Sequence, residues 1–250
     1  MNFFFTDTKE KVHHASLPYV IRMLIVGESG SGKTTLLMRL LLEDGLLNYE
    51  NLYVFSRSLH QPEYQCLIHG LNNGLSKATI VSMLNSGKEI GKNSIEEIAK
   101  AYAKIYGSTE DINAEFYSSP EHILDPTELD REKRNLMVFD DIMTDRNQRT
   151  PESYYTRGRT CNCDSIYLSQ NYIHLPLHTI RSNSNIMIFF KLSPLDKNQV
   201  FIKYASIDMI KKDFDEFCRR AWSKKYGYLV IDTTLEYDSG NKYRFDIEIS

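Results

Sequence analysis

Residues 27–34 read Gly27-Glu28-Ser29-Gly30-Ser31-Gly32-Lys33-Thr34, an uninterrupted G-x-x-x-x-G-K-T. Glycines let backbone N–H groups turn inward around a chain of phosphates without Cβ clashes. A lysine and a hydroxyl at the end of such a loop suit the β- and γ-phosphates of a nucleoside triphosphate and a Mg²⁺ ion. Lys33 takes the first role and Thr34 the second, and the loop from Gly27 to Thr35 would line the phosphates. A second chemical feature is the apolar run Leu136-Met137-Val138-Phe139, which ends in the acid pair Asp140-Asp141. In that setting Asp140 holds Mg²⁺, directly or through water, and Asp141 takes the proton of an attacking water as general base. A second acid suits hydrolysis by water better than transfer to a substrate hydroxyl. The plainer alternative is an Asp141 that only caps the next turn.

The loop can work only between a strand and a helix. Val20–Val26 is a short, mostly apolar stretch that reads as a buried parallel strand, and Thr34–Glu43 is leucine-rich and reads as a helix. The run before Asp140 fits a buried strand whose carboxyl end meets the nucleotide. Further strands are expected at Leu52–Ser56, Ile166–Ser169, Ile186–Lys191 and Tyr228–Ile231, with helical patterns at Ser94–Tyr106 and Asp208–Trp222. This alternation predicts an α/β fold, a mainly parallel sheet flanked by helices, and with the glycine loop and acid pair it resembles the P-loop NTPases of the RecA-like, ASCE kind. A further strand should lie between the loop strand and the Asp140 strand. Ile166–Ser169 fills that place, and Gln170 at its end would orient water or sense the γ-phosphate.

The tail Leu235–Phe245 alternates around Ser239-Gly240-Asn241 and reads as a hairpin, an antiparallel C-terminal extension of the sheet edge. Residues 57–135 are the least regular, with Pro62, Gly70, Gly74, Gly87 and Gly91, and read as a mainly helical insertion between the second and third core strands. One domain spanning residues 1–250 accounts for the whole.

Attack of water on a γ-phosphate builds charge that an arginine can neutralise, an effect of about 10³–10⁵ in rate. The candidates are Arg159, in Thr156-Arg157-Gly158-Arg159-Thr160, then Arg181 and Arg157. Such arginines commonly come from a neighbouring subunit; surface ion pairing is the plainer alternative for each.

Hydrophobic residues make up 42% and charged residues 25%, values of a globular chain. No apolar stretch approaches the roughly 20 residues of a membrane span. The start, Met1-Asn2-Phe3-Phe4-Phe5, lacks the basic residues and apolar length of a signal peptide and reads as a strand or packed tail. Of the four cysteines only Cys161 and Cys163 are close, which is not a zinc pattern, and a reduced intracellular protein is expected. A net charge of −3 gives no global basic field. If nucleic acid is the substrate, local loops or several subunits facing one channel must hold it.

Val26–Thr35, Leu136–Ile142, Gly158-Arg159, Tyr167-Leu168-Ser169-Gln170-Asn171-Tyr172 and Ile180-Arg181-Ser182-Asn183 together resemble a known family. Their order and spacing are similar to those of the viral genome-packaging ATPases of the FtsK/HerA superfamily, the poxvirus-type branch shared with other large DNA viruses, virophages and polinton-like elements. Asp213-Phe214-Asp215-Glu216-Phe217 and Tyr226-Gly227-Tyr228-Leu229-Val230-Ile231-Asp232 also resemble its C-terminal pattern, so the likeness spans residues 20–232. Thr160 stands where the family often has histidine.

The resemblance implies an ATP-driven double-stranded DNA translocase that assembles as a homo-oligomeric ring, hexamer or pentamer, and fills a preformed capsid. It implies capsid proteins as partners and a place at the virus assembly site inside the host cell, with virion association. Carried over, Lys33 and Thr34 bind phosphate and Mg²⁺, Asp140 and Asp141 serve metal and water, Gln170 senses, and Arg159 or Arg181 completes a neighbour's site. Lys88 and Lys92, among glycines in Ser86–Lys92, could meet DNA phosphates or form an ordinary solvated loop. The competing readings are a non-translocating ATP-binding assembly factor or switch at a capsid vertex, a nucleotide kinase, and a cellular or plasmid DNA pump. The acid pair disfavours the kinase.

Overall fold

The structure is a computed structural model that describes residues 13–86, 94–107, 112–142 and 148–247. Eight strands form one sheet: β1 Arg22–Val26, β2 Asn51–Ser56, β3 Asn113–Tyr117, β4 Asn135–Asp140, β5 Cys163–Ser169, β6 Ile186–Phe189, β7 Leu229–Asp232 and β8 Tyr243–Arg244. Their order is β3-β2-β4-β5-β1-β6-β7-β8. The six strands from β3 to β6 run parallel, and β7 and β8 extend the edge antiparallel. This is the expected P-loop NTPase sheet, with β5 between β1 and β4 as the sequence requires.

Among the described residues seven α-helices cover it: α1 Lys33–Leu42, α2 Pro62–Asn72, α3 Lys77–Asn85, α4 Ile95–Tyr106, α5 Arg149–Arg157, α6 Pro194–Val200 and α7 Lys211–Ala221. β1, β2 and β4 read as continuous apolar runs because both faces of the sheet are covered. Successive side chains go to opposite faces. Met23, Ile25, Val54 and Val138 pack with Leu37, Leu41, Tyr64 and Ile80 of α1, α2 and α3. Leu24, Val26, Met137 and Phe139 pack with Tyr154, Tyr155, Phe214 and Cys218 of α5 and α7. α4 begins with a capping box, in which Ser94 accepts from the Glu97 amide and the Glu97 carboxylate from the Ser94 amide.

Two elements depart from the sequence reading. Residues 57–135 hold α2, α3, α4 and also β3, which pairs with the edge of β2. That strand is half exposed along its length, so it shows no apolar run. The tail does not fold into a hairpin on itself. Tyr237–Ser239 forms a tight 3₁₀ turn, Gly240 lies at φ 70°, and β8 pairs instead with β7, Val230 facing Arg244. A separate turn opens the connection directly after β7, where the Asp232 carboxylate accepts from the Thr234 amide at 2.9 Å and hydroxyl at 2.6 Å. Phe3–Phe5, Lys88 and Lys92 lie outside the described residues.

Candidate nucleotide-hydrolysing site

Parallel neighbours bring their carboxyl ends to one edge. β1 ends at Val26 beside Ser169 of β5, and the Gly27 amide donates to the Ser169 carbonyl at 3.1 Å. β4 ends at Asp140 beside Ser56 of β2. A cleft of about 910 Å³ opens there, lined by Lys33, Thr34, Thr35, Asp140, Asp141 and Gln170 among others. That is within the size of pockets that hold small organic ligands.

The loop is built as its letters suggest. Gly30 and Gly32 sit at φ 73° and 105°, a region that side chains with a Cβ rarely enter. Gly32 starts α1 with no side-chain cap and no acid in its first turn. By contrast α3, α4 and α6 begin on serines that accept backbone N–H bonds. The first amides and the positive dipole end of α1 are therefore left to serve an anion. The Ser31 hydroxyl in the same loop is buried with no hydrogen-bond partner among the described residues. These features fit a polyphosphate.

Lys33 Nζ donates to the Gly27 carbonyl at 2.7 Å and to the Glu28 carbonyl at 3.0 Å, so its ammonium lies against the loop. Burial lowers its pKa, and the charges of Asp140 and Asp141 oppose that shift. Thr34 and Thr35 face the cleft from the first turn of α1. Asp140 is 7% exposed, and burial pushes its carboxyl pKa up against the pull of a hydrogen bond from Tyr64 and the charge of Lys33. Asp141 is exposed at φ 54°, a conformation that aspartate tolerates better than most residues. Its Oδ2 accepts from the Ser58 hydroxyl at 2.8 Å. One carboxylate, one threonine hydroxyl and phosphate oxygens are a donor set that suits Mg²⁺, which keeps several waters.

None of the three candidate arginines lines this cleft. Arg159 is exposed in the turn Gly158–Cys161, before the amino end of β5. The strand's length places that turn roughly 20 Å from the carboxyl end. Arg181 closes a π-helical turn, Leu177–Arg181, and its guanidinium stacks over Tyr172 at 4.9 Å. Arg157 pairs with Asp125 at 2.7 Å. Among the described residues, Lys33 and Arg39 line the cleft as lysine and arginine cations, the latter bound to Glu43 at 2.6 Å and Asp246 at 3.0 Å.

The structure adds residues that the sequence did not reveal. Tyr64, fully buried on α2, donates its hydroxyl to Asp140 Oδ2 at 2.5 Å. Nothing in the spacing of Tyr64 and Asp140 announces the contact. Ser58 was legible in principle, since it follows the end of the strand that neighbours β4. Groups that orient a metal-binding side chain are commonly worth about 10–100-fold in metal affinity or activity. For a site in which Asp140 holds Mg²⁺ for hydrolysis, Tyr64→Phe would raise the Mg²⁺ concentration for half-maximal turnover by about tenfold. Loss of the donor also raises the Asp140 pKa further, so the acid limb of the pH–rate profile should move to higher pH. An unchanged Mg²⁺ titration and an unchanged acid limb would refute the role.

No protein-family model matches the chain, and no curated protein matches it. Among solved structures, the chain is similar to the genome packaging NTPase B204 from Sulfolobus turreted icosahedral virus 2. In complex with ATP-gammaS that protein aligns at 12% identity over 91% of this chain and 97% of its own, with a TM-score of 0.50. In complex with sulfate it aligns at 11% identity over 90% and 95%, again at 0.50. VirB4 of Thermoanaerobacter pseudethanolicus aligns at 10% identity over 86% and 87%, with a TM-score of 0.46. Among the described residues no helix is long and apolar enough to cross a membrane. The chain has the fold of a P-loop NTPase, a mostly parallel eight-stranded sheet with an antiparallel edge, flanked by helices.

Proposed function

We propose that this chain is an ATPase that drives double-stranded DNA into a preformed viral capsid, acting as a single domain in a homo-oligomeric ring at the virus assembly site. The observation that carries the hydrolytic part is the convergence on one cleft of the glycine loop, the acid pair and Gln170. In this reading the α1 amides and Lys33 hold the phosphates, and Thr34 and Asp140 hold Mg²⁺, which neutralises charge on the phosphate oxygens. Asp141 takes the proton of the attacking water, and Gln170 orients that water.

Arg159 and Arg181 stay out of their own chain's cleft, as a residue that completes a neighbour's site would. The motor and capsid parts rest on the Leu168-Ser169-Gln170-Asn171 and Ile180-Arg181-Ser182-Asn183 resemblance. The fold shared with the genome packaging NTPase B204 supports them.

The test is ATP hydrolysis with and without long double-stranded DNA, with Asp141→Asn as control. Stimulation by DNA that disappears in the variant is the expected result. Hydrolysis indifferent to DNA, or phosphoryl transfer to a nucleotide, would overturn the motor reading.

A further inference from the structure

The order of the strands gives the cleft two unlike ends. The loop after β1 lies between β5 and β4 on one side and β6 and β7 on the other. The first side supplies Asp140, Asp141 and Gln170. The second supplies Phe190, just after β6, and Tyr226 and Tyr228, just before β7. Phosphate chemistry occupies the acid side, so the rest of a nucleotide extends toward the aromatic side.

Tyr226 is unusual among these residues. It sits at φ 64°, a left-handed conformation rare for an aromatic residue. It is 56% exposed although it lies in a pocket wall. A Cβ built on Gly32 would lie 3.3 Å from its Cδ1, so the ring edge abuts the start of α1. The Lys225 ammonium stands over one ring face, 4.9 Å from the centroid. Behind it, Phe190 and Tyr228 meet edge to face at 5.4 Å. Tyr228 is tied down by donating its hydroxyl to Asp246 at 2.9 Å. An unusual backbone conformation is thus holding a large, half-exposed aromatic ring next to a phosphate-binding loop.

We propose that Tyr226 is the stacking surface for the nucleobase, the base taking the ring face opposite Lys225. The inference rests on the nucleotide reading of the cleft and deepens it: it separates recognition of a nucleoside triphosphate from recognition of a bare polyphosphate. A base stacked on an aromatic ring contributes about tenfold or more to affinity.

The test compares Tyr226→Asn, which removes the ring but tolerates a left-handed backbone, with Tyr226→Phe, which keeps the ring. Binding of ATP-gammaS and of inorganic tripolyphosphate is measured by calorimetry, and folding by thermal unfolding. Tyr226→Asn should weaken ATP-gammaS about tenfold and leave tripolyphosphate unchanged, while Tyr226→Phe binds both like the wild type. Photolabelling of the wild type with 8-azidoadenosine triphosphate should mark the peptide that contains Tyr226. The proposal fails if the folded Asn variant binds ATP-gammaS normally, if it loses both probes equally, or if the photolabel falls elsewhere. A wild-type chain that binds neither probe would overturn the ATPase reading as well, which distinguishes the two failures.

Discussion

Asp141→Asn is expected to lower ATP turnover by about 10²–10⁴-fold while leaving nucleotide affinity within a few-fold of wild type. The geometry makes this an unusually clean substitution. Asp141 occupies φ 54°, and asparagine shares the tolerance of aspartate for that region. The amide oxygen can still accept from the Ser58 hydroxyl, which now donates to Oδ2 at 2.8 Å. Size, backbone and hydrogen bond are kept, and the negative charge is removed together with the basicity. Asp141→Ala would add strain of about 1–2 kcal/mol at the same φ, so its thermal midpoint should fall where that of Asp141→Asn does not. Hydrolysis by Asp141→Asn within tenfold of wild type would show that another group activates the water.

Gly227→Ala is expected to cost about 3 kcal/mol, the upper end of ordinary overpacking. A Cβ there would lie 2.1 Å from the Ala221 carbonyl oxygen and 3.1 Å from that of Lys224. Both atoms are backbone and cannot swing away. The Ala221 carbonyl ends α7, and the next residue, Trp222, anchors that end by donating its indole N–H to the Phe189 carbonyl at 2.9 Å. Relief therefore requires moving α7 or opening the turn closed by the Gly227 amide on the Lys224 carbonyl at 3.0 Å. At roughly 2–4 °C per kcal/mol for a chain of this size, the midpoint of thermal unfolding should drop by about 6–12 °C. A drop below about 2 °C would mean the corner yields more easily than its backbone contacts indicate.

The sheet was legible because its central strands are short apolar runs between turns, and the order β4-β5-β1 followed from the chemistry that β5 must serve. β3 was not legible, since a half-exposed edge strand carries little hydrophobic signal. The tail misled because Ser239-Gly240-Asn241 does mark a turn, but the strand that follows it pairs with β7, farther back in the chain. Within the site, the glycine loop and the acid pair are local patterns whose geometry is fixed by neighbours in sequence. Tyr64, Ser58 and the aromatic wall belong to other elements, and only the folded sheet brings them together. The arginines illustrate the same boundary from the other side: residue type and sequence position suggested a role, and the fold places both outside their own chain's cleft.

The bond between Tyr64 and Asp140 also has a mechanical meaning. α2 belongs to the segment of three helices and an edge strand that lies between β2 and β4, and its buried tyrosine grips the carboxylate at the end of β4. A displacement of α2 reaches the acid pair through Tyr64 on Asp140 and through Ser58, just before the helix, on Asp141. Linkage then makes the traffic reciprocal: a contact that weakens occupancy of the acid end by some factor is itself weakened by occupancy by the same factor. The coupling this linkage allows between α2 and the acid pair runs through the hydrogen bonds of Tyr64 and Ser58.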